Sequence, residues 1–172
     1  MVSTLNNVIS VEFLYLDLSH CGRCSGTSDV LASAIRTATP VLEALGYSVE
    51  LKNIHVRSAE QAKELGFIAS PTIRINGDDI QPEAYQSRCK ECGELCNCAE
   101  GVDCRVWQWN GEQTLTPQVG MIVGLLVDVA RQSGRPHTTQ TSHGHTVTSA
   151  QNIEKFFGGS EARQCCPTGC CG

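Results

Sequence analysis

Apolar positions run almost unbroken from Val11 to Leu18, Val11-Glu-Phe-Leu-Tyr-Leu-Asp-Leu18, the pattern of a strand buried on both faces of a sheet. From about Ser25 to Leu45 the spacing changes. Val30, Leu31, Ala34, Ile35, Val41, Leu42 and Leu45 fall on one stripe of a helix. Pro40 is expected to kink that helix or divide it in two, and Gly46 closes it. Tyr47 to Ile54 alternates apolar and polar residues, which predicts a second strand. Ser58 to Leu65 reads as a short helix, with Ser58 as cap, Gln61 completing a capping box and Gly66 ending it. Strand, helix, strand, helix implies an α/β fold with crossover connections.

Pro71 then opens a β-branched strand, Thr72 to Ile75, a position proline tolerates. Asn76-Gly77 predicts a tight turn. Residues 81–104 interrupt the expected return of the hairpin: they are polar, hold five cysteines and show no apolar period. Arg105 to Trp109, Asn110-Gly111 and Glu112 to Leu115 predict a second hairpin with a two-residue turn. Thr116-Pro117 starts a helix with proline at its first position, and Val119 to Ala130 is apolar enough to cover one face of the sheet. The fold is expected to close around Ser133. Residues 134–150, GRPHTTQTSHGHTVTSA, have almost no large apolar side chains and read as a disordered linker. Within 151–172, Asn152 to Phe157 forms about one helical turn, with Ile153, Phe156 and Phe157 on a docking face, before a cysteine-rich tail.

Bulk properties narrow the setting. A chain of 172 residues suits one domain with an appendage. A net charge of −5 without a Lys/Arg block argues against nucleic acid or an anionic membrane as partner. No apolar run reaches the roughly 18 residues needed to cross a bilayer. Met1 to Asn7 lacks a basic stretch followed by an apolar one, so no signal peptide is expected and the expected location is cytoplasmic. The outlier is eleven cysteines. In a reducing compartment they point to metal binding or catalysis rather than to a disulfide framework, and an odd count forbids complete internal pairing.

Cys21-Gly-Arg-Cys24 lies where the first strand gives way to the first helix, the setting of a redox dithiol. A helix N-terminus has unpaired N–H groups and a partial positive charge, both of which favour a thiolate. With His20 before it and Arg23 inside the motif, Cys21 is expected to ionise easily and to act as an exposed nucleophile or first ligand. Cys24 follows as resolving thiol or second ligand. Asp17 is either a polar strand end or a proton-relay carboxylate able to deprotonate the second cysteine.

Ser70-Pro71-Thr72 followed by apolar residues, some fifty positions after Cys-x-x-Cys, resembles the cis-proline strand of the thioredoxin superfamily. Residues 8–133 as a whole resemble a thioredoxin-like domain with a central mixed sheet. More narrowly they resemble an uncharacterised bacterial and archaeal thioredoxin-like family with a Cys-rich insertion before a Cys-Arg-Val-Trp strand. The resemblance implies that Pro71 lies against the dithiol as a wall of the site and that Ser70 and Pro71 help bind substrate backbone. The chain departs from thioredoxin itself: no Trp precedes Cys21, no Pro lies between the cysteines, and Asp17 is not where thioredoxin keeps its buried carboxylate. These departures point away from general disulfide reductase activity.

Two further thiol groups remain. Within the insertion, Cys89 and Cys92, with Cys96 or Cys98 and Cys104, supply the four thiolates a structural zinc requires. Disulfides, a redox relay and metalloid capture are the other readings of that set. A segment without an apolar core needs some such tie to offset roughly 1–2 kcal/mol of backbone entropy per ordered residue. In the tail, Cys165, Cys166, Cys170 and Cys171 flank Pro-Thr-Gly, and two vicinal pairs across such a turn can converge on one soft ion. A flexible linker of about 17 residues spans roughly 20–25 Å, enough to bring the tail to Cys21. The sequence therefore predicts a cytoplasmic thiol protein that handles soft metal or metalloid ions, in detoxification or metal transfer. The alternative is a thiol–disulfide oxidoreductase acting through Cys21 and Cys24, with a thiol reductant or client protein as partner. Cleavage of a carbon–metal bond by paired thiols and Asp17 is a lesser alternative.

Overall fold

The computed structural model describes residues 7–98, 102–133 and 150–161. Strand β1 (Asn7–Tyr15) is the backbone of the architecture, an inner strand of a four-stranded mixed sheet. It pairs in parallel with β2 (Tyr47–His55) on one side and antiparallel with β3 (Thr72–Ile75) on the other. Strand β4 (Asp78–Asp79) pairs with β3 across the Asn76-Gly77 turn, both of whose residues have positive φ. Burial alternates along most of β1: Ile9, Val11 and Phe13 are buried while Val8 and Ser10 are exposed and Glu12 is half-buried, so the expected two-sided burial is reached only at Phe13 and Leu14.

The two faces of β1 look into different cores. Ile9, Val11 and Phe13 pack with Leu31, Ala34, Ala38 and Leu42 of helix α1 (Gly22–Ala44) and with Ile122 and Leu126 of a helix further along the chain. Leu14 and, just past the strand, Leu16 turn the other way. They pack with Phe67, with Ala62 of helix α2 (Ala59–Glu64), and with Cys24 and five other buried cysteines, all in one cluster. Period two in a strand sends alternate residues to opposite sides. The offset between Phe13 and Leu14 thus sets a hydrocarbon core on one face and a sulfur-rich core on the other.

Helix α1 continues through Pro40 as one helix, so the proline does not divide it in two. Pro40 is exposed and near the C-terminal end, so its missing N–H and ring face solvent rather than a packed neighbour. Gly46, at φ +84°, follows the helix as expected. Ser58 accepts from the Gln61 N–H at 3.1 Å, and the Gln61 side chain reaches back to the Arg57 N–H at 2.8 Å.

Residues 81–104 are ordered where described, although they lack an apolar period. Strand β5 (Gln86–Cys89) leads into helix α3 (Lys90–Cys96), and β6 (Val102–Arg105) returns antiparallel to β5. Cysteine takes the place of aliphatic residues: Cys89, Cys92, Cys96 and Cys104 are all buried. Arg105 fastens this ribbon to the sheet. Its guanidinium meets Asp79 Oδ2 at 2.7 Å, Gln81 O at 2.6 Å and Thr72 Oγ1 at 3.0 Å, and lies over the Trp107 ring.

Strands β7 (Trp107–Trp109) and β8 (Glu112–Thr114) form the expected hairpin about Asn110-Gly111, but as a separate two-stranded sheet. Helix α4 (Val119–Gln132) begins two residues after Pro117 and covers the hydrocarbon core. Helix α5 (Ala150–Glu161) is longer than the single turn expected and includes Ala150, which the sequence placed in the linker. Residues 134–149 lie outside the described residues. Among the described residues, no helix is long and apolar enough to cross a membrane.

Candidate metal centre

Two Cys-x-x-Cys motifs meet. Cys21 is the N-cap of α1 and Cys89 the N-cap of α3, each with extended backbone angles, so two helix starts face the same spot. Cys92 lies within α3 and Cys104 on β6. The sulfur atoms of Cys21, Cys89, Cys92 and Cys104 all lie within 4.8 Å of one another, and all four residues are buried. Cys92 Sγ is 3.5 Å from Cys21 Sγ and 3.3 Å from Cys104 Sγ. With zinc–sulfur bonds of about 2.3 Å, a tetrahedron has sulfur–sulfur edges of roughly 3.8 Å. The two closest spacings fall within about 0.5 Å of that value and none exceeds 4.8 Å, so the four cysteines can hold a metal ion.

The thiols perturb each other more than anything else does. Hydrogen bonding from Cys104, then from Cys24, Cys89 and Cys92, holds Cys21 far below the usual thiol range, against the opposing effect of burial. Cys89 is likewise lowered, first by Cys104. Cys104 is pushed up, because it donates to Cys21, Cys89 and Cys92 and is itself buried. Although Cys104 donates to Cys92, its hydrogen bonds with Cys21 and Cys89, together with burial, push Cys92 up. The mutual hydrogen bonds thus pull Cys21 and Cys89 down and Cys92 and Cys104 up. The pocket's easily ionised member arises from neighbouring S–H groups rather than from His20.

His20 in fact points out. Its side chain is 68% exposed and pairs with Asp17 Oδ1 at 3.4 Å, while its N–H donates to the same oxygen at 2.6 Å. The Asp17 carboxylate is therefore a cap on the loop before Cys21; it is the backbone N–H of Asp17 that reaches the Cys24 sulfur. That contact gives the proton-relay role no geometric support. Arg23 does not lend its charge to a sulfur either. It is buried, and its guanidinium donates to Ser87 O at 3.0 Å, Cys104 O at 3.1 Å and Arg88 O at 2.6 Å. Since Ser87 and Cys104 are register partners, this one side chain pins both strands of the ribbon onto the start of α1.

Cys21 is 1% exposed and Cys24 0%, which corrects the expectation of an exposed nucleophile. The ribbon, α3 and α5 close over the helix start. Ile153 and Phe156 of α5 are buried in the same cluster as the cysteines, and Asn152 donates to Gln86 Oε1 on β5. Cys24 stands outside the four-sulfur group, with its sulfur 3.3 Å from Ser70 Oγ and its pKa pushed up by the ionised Cys21 and by burial. Pro71 is buried and joined to Ser70 by a cis peptide bond; the contact with Cys24 belongs to Ser70.

The expected zinc set of the insertion is also corrected. Cys96 and Cys98 form a disulfide with each other, and Cys21 takes the fourth position. Cys96 is four residues beyond Cys92, about 6 Å further along the helix axis, which carries it away from the pocket. Cys165, Cys166, Cys170 and Cys171 lie outside the described residues.

Sequence reasoning missed Glu91, whose Oε2 accepts from Cys89 Sγ at 3.3 Å at the exposed edge of the pocket. The only signal was an acidic residue between two cysteines. No curated protein and no solved structure matches the chain. A family model, described as a domain of unknown function (DUF2703), matches residues 9–124, a span that holds all four pocket cysteines and Cys24 but neither α5 nor the tail. Covering more than half of the sequence, that match places the chain in the DUF2703 family.

Proposed function

We propose that this protein binds one soft metal or metalloid ion in the pocket of Cys21, Cys89, Cys92 and Cys104, and serves in ion sequestration or transfer. The observation that carries the reading is the convergence of four buried sulfurs within 4.8 Å. Buried thiolates without a counter-ion are unfavourable, and thiolates select soft ions such as Zn(II), Cu(I) and, by the same softness, Hg(II) or As(III). A divalent ion on four thiolates leaves a charge of about −2, which two helix N-termini help to stabilise. Zinc serves as a structural tie between α1 and the ribbon in this reading, and a softer ion is the cargo that displaces it. The fold is proposed to be thioredoxin-like, on the strength of the β2-β1-β3-β4 order, the Cys-x-x-Cys at the start of α1 and the cis Ser70-Pro71 bond near Cys24.

The test is elemental analysis of the full chain purified with and without arsenite or mercury in the growth medium. Wild type is expected to carry one ion in the pocket, and Cys92→Ser to lose it. Unchanged ion content in Cys92→Ser, with circular dichroism showing an intact fold, removes the proposal.

Thiol–disulfide exchange is the second reading, favoured by the adjacency of Cys21 and Cys24 beside Ser70. Exchange requires in-line access to a sulfur, and at 1% and 0% exposure neither sulfur offers that to a client protein in this closed form. Cys24→Ser separates the two: an exchange enzyme accumulates mixed disulfides, whereas an ion site does not.

A further inference from the structure

Cys21 belongs to two constellations at once. It is one of the four sulfurs of the pocket, and it lies three residues before Cys24 across the first turn of α1, in the same buried cluster; Cys24 is the one free thiol among the described residues that is in that cluster without being part of the pocket. Cys96 and Cys98 are already joined to each other. A sulfur in a disulfide has no anionic charge to give a metal, so ligation by Cys21 and a Cys21–Cys24 bond exclude each other, and the bond leaves the ion three thiolates in place of four. We propose that Cys24 is a resolving thiol whose bond to Cys21 expels the ion, making the pocket a peroxide-triggered release site. This inference rests on the four-thiolate reading.

Burial selects the oxidant. A disulfide substrate has to approach along a sulfur–sulfur axis, which sulfurs 0–1% exposed do not allow. Hydrogen peroxide is little larger than water and needs only a transient opening. The Cys21 thiolate attacks one peroxide oxygen, the O–O bond breaks, and Cys21 sulfenic acid and hydroxide form. The Cys24 thiol then attacks that sulfur and its proton leaves with the sulfenic oxygen as water, completing the Cys21–Cys24 bond. Two electrons pass from two sulfurs to one peroxide, and three thiolates, Cys89, Cys92 and Cys104, remain in the pocket. The competing pair, Cys89 and Cys92, consists of two pocket members, both engaged by the ion; among the described residues Cys24 alone is free to close on an oxidised Cys21. Ser70 Oγ, 3.3 Å from Cys24 Sγ, holds that thiol in place.

The experiment uses the full chain with Cys165, Cys166, Cys170 and Cys171 all changed to Ser, so that tail thiols do not contribute. The protein is loaded with zinc and treated with one equivalent of hydrogen peroxide. Released zinc is followed with a chromophoric chelator, and disulfides are mapped by mass spectrometry after acid quenching. Loss of the zinc together with a Cys21–Cys24 cross-linked peptide is the expected result. Cys24→Ser and Cys24→Ala are expected to keep their zinc through the same dose. Release from both Cys24 variants at the wild-type rate overturns the proposal, as does a Cys89–Cys92 bond in place of Cys21–Cys24, or no release at all. If instead the chain takes up no zinc that Cys92→Ser abolishes, the pocket reading itself has failed, and the two failures are thereby told apart.

Discussion

Arg23 sits between the two cysteines of the first motif, yet its three hydrogen bonds go to carbonyl oxygens of the neighbouring ribbon. Charge-assisted bonds of this kind fix geometry rather than tune a thiol directly. Arg23→Met should leave three acceptors unmatched and let Cys89 and Cys104 drift from Cys21. Groups that orient metal ligands typically account for about 10–100-fold in affinity, and a loss of that size is expected in a zinc competition titration. Arg105 offers a second case. Its side chain is fully buried and its ion-pair partner Asp79 is only 18% exposed. Breaking a buried pair from one side strands the remaining charge. Asp79→Asn should therefore destabilise the fold by about 3 kcal/mol in urea unfolding, while Arg105→Met with Asp79→Asn together should recover part of the loss.

At the level of elements, α5 deserves comparison with α3. Both are short, and neither has a hydrophobic stripe wide enough to stand alone. Helix α5 closes the sulfur-rich core chiefly through Ile153 and Phe156. Each such side chain contributes roughly 1.5–3 kcal/mol when buried, a gain that conformational entropy largely offsets. Phe156→Ala should undock α5 and leave the sheet intact. The check is alkylation of the pocket thiols, which should proceed at least tenfold faster in the variant, a change corresponding to about 1.4 kcal/mol, with far-UV circular dichroism losing no more than one helix. An unchanged alkylation rate would mean that α3 and the ribbon seal the pocket without help. Helix α3 owes its place to cysteines: Cys92 and Cys96, four apart, bury the same face. The 3.6-residue period is present there, written in sulfur rather than in leucine.

For the molecule as a whole, an ion in the pocket would join the start of α1 to a ribbon some seventy residues away, Cys21 to Cys92 being 71 positions apart. Binding to the folded state alone stabilises it by about 4 kcal/mol when free ion exceeds the dissociation constant a thousandfold. Removing the ion with a chelator should lower the melting temperature and release the amides of β5, α3 and β6 to hydrogen exchange before those of β1. Acid should act in the same direction. Cys92 and Cys104 are pushed up in the ion-free pocket, so they carry protons at neutral pH, and ligation must expel those protons. Affinity should rise with pH and fall as pH drops; zinc titrations at about pH 8 and about pH 6 with measured proton release check the sign.

What the sequence determined by itself was local. The first strand, found at Asn7–Tyr15 where Val11–Leu18 was expected, the helix that follows Cys-x-x-Cys, found from Gly22 where about Ser25 was expected, the cap at Ser58, the two Asn-Gly turns and the break at Gly46 each depend on residues within a few positions of one another. Such features are readable because periodicity and backbone preference act over short range. The membership of the pocket was not readable. Nothing in the spacing distinguishes Cys21 from Cys96 as the fourth ligand, and either choice satisfies a count of four. Only the tertiary structure decided it, because Arg23 brings the ribbon onto α1 and the helical rise carries Cys96 away. Exposure was equally out of reach: whether Cys21 meets solvent depends on α3 and α5 closing over it, contacts made between segments far apart in the chain.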